Sequence, residues 1–311
     1  MMRLGLCCIF VEQPIRFRAT TARILSALPR AGQLSRLSDI CLENARNLVR
    51  AVETVHGLGI GAFRVTTPLF PRYTHPLVGY HLDELPAAGE IRRQLAEVRR
   101  LRGSLDIRLS FHPDQFVSLS SLRPEVVDKS IAELEYQGLL AELIGAEVIN
   151  IHAGGRQGGK EQALRRLADN FPRLSERVRT RLTLENDELS YSVRDLLPLC
   201  HALGVPLVYD VHHHRCLPDG LAVAEATTLA AATWRGRGEP WAHVSSPKQG
   251  WQGSNPRLHA DYIDPEDFPV CWRGLALTVD VEAKAKELAV LKLMSDLGMT
   301  PKQGSGSAGQ A

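Results

Sequence analysis

Short apolar runs alternate with longer stretches of helical period along this 311-residue chain, and the alternation repeats eight times. The runs cover residues 3–8, 61–65, 106–111, 147–151, 181–185, 206–210, 241–245 and 275–281. Each has the length and composition of a buried strand. Between them, residues 37–56, 84–102, 124–144, 160–178, 193–203 and 221–233 have the period of helices, and residues 281–297 close the series. Pro124 suits a first helical turn, where a missing N–H costs nothing. Gly145 and Gly204 stand where a left-handed residue ends a helix.

Eight βα units with no linker among them favour closure over an open sheet, because the eighth strand can pair with the first and leave no bare edge. The expected fold is α/β: a single-domain (β/α)8 TIM barrel over residues 1–299, followed by a flexible tail over residues 300–311. A composition of 44% hydrophobic and 23% charged residues supplies the core such a barrel needs. The net charge of only +2 excludes a polybasic arm, so any polyanion must be met by a local cluster of cations.

Cys7, Cys8, Cys41, Cys200, Cys216 and Cys271 form no C-x-x-C pair and no secreted-domain spacing, which points to reduced thiols in a cytoplasmic protein. Cys7 and Cys8 are expected on opposite faces of the first strand. The apolar start, residues 1–11, is too short to span a bilayer and carries no cleavage-site pattern. A soluble monomer without membrane contact is the expectation.

Barrels of this kind build their chemistry at the carboxyl ends of the strands. The sixth run ends in Asp210-Val-His212-His213-His214, which alone fits either a metal-binding loop or a histidine-rich exposed turn. The other strands decide between them. The third ends in Phe111-His112-Pro113-Asp114-Gln115, the fourth in His152 and the fifth in Glu185-Asn186-Asp187; the seventh holds His243, the eighth runs through Asp280 to Glu282, and the loop after the second holds His75. Glu185, Asp210 and Glu282 crowded at one mouth would repel unless cations lay between them.

The candidate ligands are therefore His75, His112, His152, Glu185, Asp210 with His212 or His213, His243 and Glu282, with His259 added from the long loop after the seventh strand. Mixed imidazole and carboxylate ligation suits Mn2+ or Zn2+ better than Mg2+ alone. Two or three such ions fit phosphodiester hydrolysis. Glu185, central in the order, is the candidate bridge, and Glu185, Asp210 and Glu282 are the candidate catalytic carboxylates. Asp187 and Glu188 are read as helix-capping acids. His56, His81 and His201 fall in or beside helices and are set aside.

Loops on the same rim carry Arg16, Arg18, Arg23, Arg156, Lys160, Arg215, Lys248 and Arg257, the local cations that a nucleic-acid backbone requires. Gly154-Gly-Arg-Gln-Gly-Gly159-Lys160 nearly spells a phosphate-binding P-loop, but Glu161 stands where a hydroxyl should meet magnesium. Its glycines suit either a sugar-phosphate contact or an ordinary mobile loop.

Taken together, Phe63-Arg64, Phe111-His112-Pro-Asp-Gln115-Phe116, Ile151-His152-Ala-Gly-Gly155, Leu184-Glu185-Asn-Asp187-Glu188, Asp210-Val-His-His213-His214 and Val281-Glu282-Ala-Lys284 resemble the UV damage endonuclease family, a relative of endonuclease IV among metal-dependent barrels. The resemblance runs from Leu4-Gly5-Leu6 to Lys284. It implies an endonuclease that cuts damaged double-stranded DNA on the 5′ side of UV photoproducts, with other helix-distorting or abasic lesions as a wider range. It also implies manganese at the ligand positions named above, with His213 selected over His212 and His259 near a further position. Gln115 and Phe116 correspond to the family's damage-probing pair. Leu6 and Trp241 depart from the pattern, since some members carry a tyrosine and a lysine there. Two other readings stay open: a metal-dependent sugar isomerase or epimerase, which needs a closed small pocket and no basic rim, and an inert barrel that only recognises damaged DNA.

Overall fold

Eight strands close on themselves in the computed structural model, which describes residues 2–299. They are β1 (Arg3–Cys7), β2 (Ala62–Val65), β3 (Arg108–Phe111), β4 (Val148–His152), β5 (Leu182–Glu185), β6 (Leu207–Asp210), β7 (Trp241–Val244) and β8 (Thr278–Val281). All neighbours pair in parallel, and closure is made by β1 against β8, from Arg3 opposite Thr278 to Leu6 opposite Val281. The chain forms the (β/α)8 TIM barrel that its alternation predicts. The tail expected over residues 300–311 lies outside the described residues.

Helices Arg30–Gly57, Ala88–Ser104, Pro124–Ile144, Lys160–Asn170, Val193–Leu203, Val223–Ala232 and Glu287–Asp296 wrap the barrel. Gly145 (φ 75°) and Gly204 (φ 63°) are left-handed and end their helices as expected. Four helix boundaries differ from the periodicity by more than two residues, the first being that of the helix expected from residue 37, which begins at Arg30. The helix expected over residues 160–178 stops at Asn170, because Pro172 has no N–H to continue it; a 3-10 turn and the short helix Glu176–Arg179 follow. The helix expected from residue 84 begins at Ala88, just past Pro86. The last one begins at Glu287 rather than 281, leaving Glu282–Lys286 as a non-helical corner with Lys286 left-handed at φ 52°.

Strand side chains alternate between the helices and the barrel interior. Outward residues such as Leu4, Leu6, Phe63, Leu109, Ile149, Leu184 and Val279 are buried under the helices in one continuous core. Inside, Ala62, Val148, Val208 and Trp241 form a separate apolar plug low in the barrel. The Arg108 guanidinium lies over the Trp241 ring at 4.4 Å and donates to Thr278 Oγ1 at 2.7 Å. Two residues further along the same strands stand Arg64, Asn150, Asp210, His243 and Asp280, so a filled lower barrel carries a polar upper one.

Candidate metal centre

Asp210 ends β6 and caps the next helix, Val211–Cys216, by accepting the His213 N–H at Oδ1 (2.8 Å). The three histidines thus sit on one helical turn rather than in the loop their sequence suggests, about 100° apart around its axis. Only His213 turns to the barrel mouth. His214 Nδ1 meets the Tyr209 hydroxyl at 2.6 Å and its Nε2 meets Asp219 at 3.2 Å, while His212 packs between Trp251 and His259.

Three sets of potential ligand atoms gather at the mouth, each within 4.8 Å: His112, His152 and Glu185; Glu185, Asp210 and His213; Asp210, His243 and Glu282. Glu185 and Asp210 are shared between sets, which makes the three a continuous ring. His259 Nδ1 lies 3.8 Å from Glu282 Oε2 at its edge. His75 stands apart from all three sets: its Nδ1 accepts from the Leu77 (3.2 Å) and Val78 (3.4 Å) amides in the loop after β2.

The ring has the chemistry of a divalent metal site. Glu185 Oε1, Asp210 Oδ2, His152 Nδ1 and His243 Nδ1 are buried with no hydrogen-bond partner outside the ring, where His243 Nδ1 stands 3.1 Å from Glu185 Oε1, an arrangement costly for polar atoms unless something within the ring joins them. His112 makes the same point. Its Nδ1 is 3.1 Å from the Pro113 carbonyl, to which it can only donate. In a neutral ring its Nε2, 2.9 Å from Glu185 Oε2, is then a lone pair facing a lone pair, a contact that a proton or a metal ion between them would relieve. Burial pushes the His152 pKa down, so the ring is the neutral form that ligates metals. Burial alone would raise the Glu185 carboxyl, but the imidazoles packed around it, His243 first, hold it well below its ordinary value.

Three residues of the site carry no assignment in the sequence reading. Arg64, inside β2, donates to Glu282 Oε1 at 2.6 Å and Asp280 Oδ2 at 3.0 Å, and lies 2.9 Å from His243 Nε2. The carboxylates therefore have a guanidinium among them, and metal ions are not their only possible compensation. Gly5 makes room for this group: a side chain there would start 2.2 Å from Asp280 Oδ1. Asn150, two residues before His152, donates to Glu185 Oε2 and accepts from Thr183 Oγ1 at 2.8 Å. Inward alternation from the known strand ends is the signal that could have found all three.

Asp187 does not cap a helix. It accepts the Leu189 (2.8 Å), Ser190 and Tyr191 (3.1 Å) amides of a turn, and the helix cap is Ser192. Glu188 lies 3.7 Å from His213 Nε2. Cys8 is left-handed (φ 69°) just beyond β1, so it does not alternate with buried Cys7 along a strand. Trp241 and Leu6 are buried, Trp241 in the lower plug and Leu6 under the helices.

The rim cations divide into two groups. Arg16 folds back on the carbonyls of Gln13 (2.6 Å) and Ile15 (2.8 Å), Arg18 pairs with Glu43 (2.6 Å), Lys160 with Asp195 (2.6 Å) and Arg215 with Asp267 (3.3 Å). Arg23, Arg156, Lys248 and Arg257 are exposed with no ion pair among the described residues. Gln115 and Phe116 project at the end of β3, Phe116 with 78% of its surface exposed. Beside them a trough of about 1150 Å³ runs from His112 past Thr67, Tyr73 and His75 to Lys129. Gly154 (φ 86°) lets the loop after β4 approach closely, since a side chain would start 2.5 Å from Ser118 Oγ.

Fold and ring together define a (β/α)8 barrel equipped to hold divalent metal at its carboxyl mouth. The chain belongs to the UV-endonuclease UvdE family, whose profile matches residues 2–305. It is 34% identical over 310 residues to a UV-damage endonuclease of Schizosaccharomyces pombe (94% of this chain, 50% of that protein). It is also 34% identical over 307 residues to a UV DNA damage endonuclease of Deinococcus radiodurans (94% and 95%). The chain thus spans about half the length of the fungal relatives it matches and nearly all of the Deinococcus one. Among solved structures it resembles SacUVDE, with a TM-score of 0.85 and 28% identity over 96% of this chain and 100% of that one. Endonuclease IV from Thermus thermophilus (TM-score 0.60, 17% identity) shares the fold.

Proposed function

We propose that the protein is a metal-dependent DNA repair endonuclease that hydrolyses the phosphodiester on the 5′ side of UV photoproducts. The observation that carries the reading is the ring itself: buried ligand atoms of Glu185, Asp210, His152 and His243 with no hydrogen-bond partner outside it, converging at a barrel mouth that opens into a trough. His112, His152, Glu185, Asp210, His213, His243 and Glu282 would hold two or three ions, with Glu185 and Asp210 shared; His259, at the ring's edge, and His75, outside the three sets, are assigned to the centre on the family resemblance alone. Manganese is the favoured ion, with zinc or magnesium as alternatives. When bound, such ions supply an activated water and neutralise charge on the attacked phosphate.

The chain's own groups do the rest. Asn150 orients Glu185, Asn186 fixes His213 through its carbonyl at 3.0 Å, and Arg64 holds Glu282. Exposed Gln115 and Phe116 are placed to enter a duplex and occupy the space left by an unstacked lesion, which costs less to displace than a sound base pair. Arg156, Lys248 and Arg257 face solvent on the same rim, available to phosphates. Family membership and the likeness to UV-damage endonucleases over most of the chain support this reading.

The trough speaks against a sugar isomerase, since it is open and larger than the roughly 300–1,000 Å³ of ordinary small-molecule sites. The deciding test incubates the protein and Mn2+ with irradiated and intact supercoiled plasmid. Damage-dependent conversion to open circles is expected; equal cutting of both, or binding without cutting, overturns the proposal.

A further inference from the structure

Many surface cations among the described residues are paired. Arg92 meets Asp83 at 2.7 Å, Arg123 meets Glu125 at 2.7 Å, Arg173 meets Asp128 at 2.6 Å and Lys292 meets Asp296 at 2.7 Å. A cleft of about 390 Å³ between the ends of β1 and β8 gathers three that are not. Arg257, Lys284 and Lys286 line it, and none of the three has an ion pair among the described residues. Arg257 reaches only the neutral Asn255 Oδ1, at 3.3 Å. The one acid in the lining is Glu282, already held by Arg64 at 2.6 Å.

This corner is built rather than loose. Lys284 N donates to the Ala260 carbonyl (3.1 Å) and Ala285 N to that of Asp261 (3.0 Å), which stitches the corner to the loop after β7. On its other side, the Glu287 carboxylate accepts the amides of Val11, Glu12 and Gln13 at 2.7–3.2 Å. Lys286 is fixed between these two anchors in a left-handed conformation that a residue with a side chain rarely adopts. Cys8, at the cleft's other wall, is left-handed too. Strain of this kind persists where surroundings over-determine it, often where a ligand is held.

We infer that Arg257, Lys284 and Lys286 form a subsite for one backbone phosphate of the DNA strand being cut, neighbouring the phosphate attacked at the ring. The inference rests on the endonuclease reading. The cleft shares Glu282 and His259 with the ring's edge, so a strand lying across the ring passes these three cations next. A singly charged phosphodiester suits them, because lysine acts on phosphate as a point charge and demands no forked geometry.

The test uses the full chain and an irradiated duplex, with affinity measured by fluorescence anisotropy in EDTA from 50 to 200 mM salt. Each phosphate contact removed lowers the slope of log affinity against log salt by about one. Lys284→Gln with Lys286→Gln removes both charges while keeping an unbranched side chain at 286, so the backbone there is no more strained than in the wild type. The expected result is a slope shallower by about one for the lysine pair and weaker binding, with a further loss on Arg257→Gln. Lys284→Arg with Lys286→Arg should bind like the wild type, and calorimetric Mn2+ binding should be unchanged in all variants. A wild-type slope in the neutral pair overturns the subsite, as does equal weakening in the arginine pair or a matching loss of Mn2+ affinity. If the wild type neither binds nor cuts the irradiated duplex, the endonuclease reading fails first; pyrophosphate binding that vanished in the neutral pair would then leave an anion site and overturn its assignment to DNA.

Discussion

Arg64 Nη1 lies 2.6 Å from Glu282 Oε1, which gives one guanidinium a hold on the same carboxylate that the metal ring would use. Arg64→Met leaves Asp280 and Glu282 buried without it. Breaking a buried pair from one side costs about 3–5 kcal/mol. That loss should be visible in urea unfolding in EDTA and should shrink in saturating Mn2+, where a bound ion offsets the charge. An equal loss in both conditions would show that Arg64 serves packing alone.

Glu185 is shared by two ligand sets and accepts from Asn150. Glu185→Ala should reduce nicking of irradiated plasmid by at least about 100-fold, and Asn150→Ala should weaken Mn2+ binding by about 10–100-fold, the range for residues that orient a ligand. Calorimetric titration with Mn2+ reads the second effect independently of cutting. Wild-type Mn2+ affinity in both variants would remove Glu185 from the centre.

Phe116 is exposed and supports nothing beneath it. Phe116→Ala should change stability by less than about 0.5 kcal/mol. Discrimination between irradiated and intact duplex should nonetheless fall, because stacking on an aromatic ring contributes roughly 1–3 kcal/mol per base. Competition binding with the two duplexes measures it.

The Glu287 carboxylate, itself 1% exposed, accepts three amides of the loop after β1. Burial alone would raise its pKa, but those N–H groups hold it below the ordinary carboxylate range. A lowered folded-state value stabilises the protein above the unfolded-state value and loses that contribution as pH falls through the folded one. Glu287→Gln should therefore cost about 1.5–3 kcal/mol at neutral pH, the range for hydrogen bonds to a charged group. The gap to wild type should narrow below roughly pH 4.3, where free glutamate protonates. Denaturant curves at pH 7 and pH 3.5 compare the two.

The barrel was legible because its strands are apolar runs spaced by helices, and the ring because His112, His152, Glu185, Asp210 and Glu282 each end or directly follow a run. What escaped lay inside the runs. Arg64, between Phe63 and Val65, and Asp280, between Val279 and Val281, read as interruptions of apolar strands, and only a closed interior makes them partners. The pairing of the rim cations was hidden for a related reason. Counting cations in loops does not reveal that Arg18 meets Glu43, 25 positions away, or that Lys160 meets Asp195, 35 away. Lys284 and Lys286 went unassigned beside Glu282 because the helix was expected to begin at residue 281 rather than 287.

The tie between Glu287 and Val11 also orders events during synthesis, since the two are 276 positions apart. A ribosome releases the amino-terminal loop long before its anchor exists, and β1 waits equally for β8. The cleft and the ring's edge can set only once the last helix has emerged, so a chain truncated before residue 287 should leave the exit tunnel with all eight strands made but its mouth unanchored.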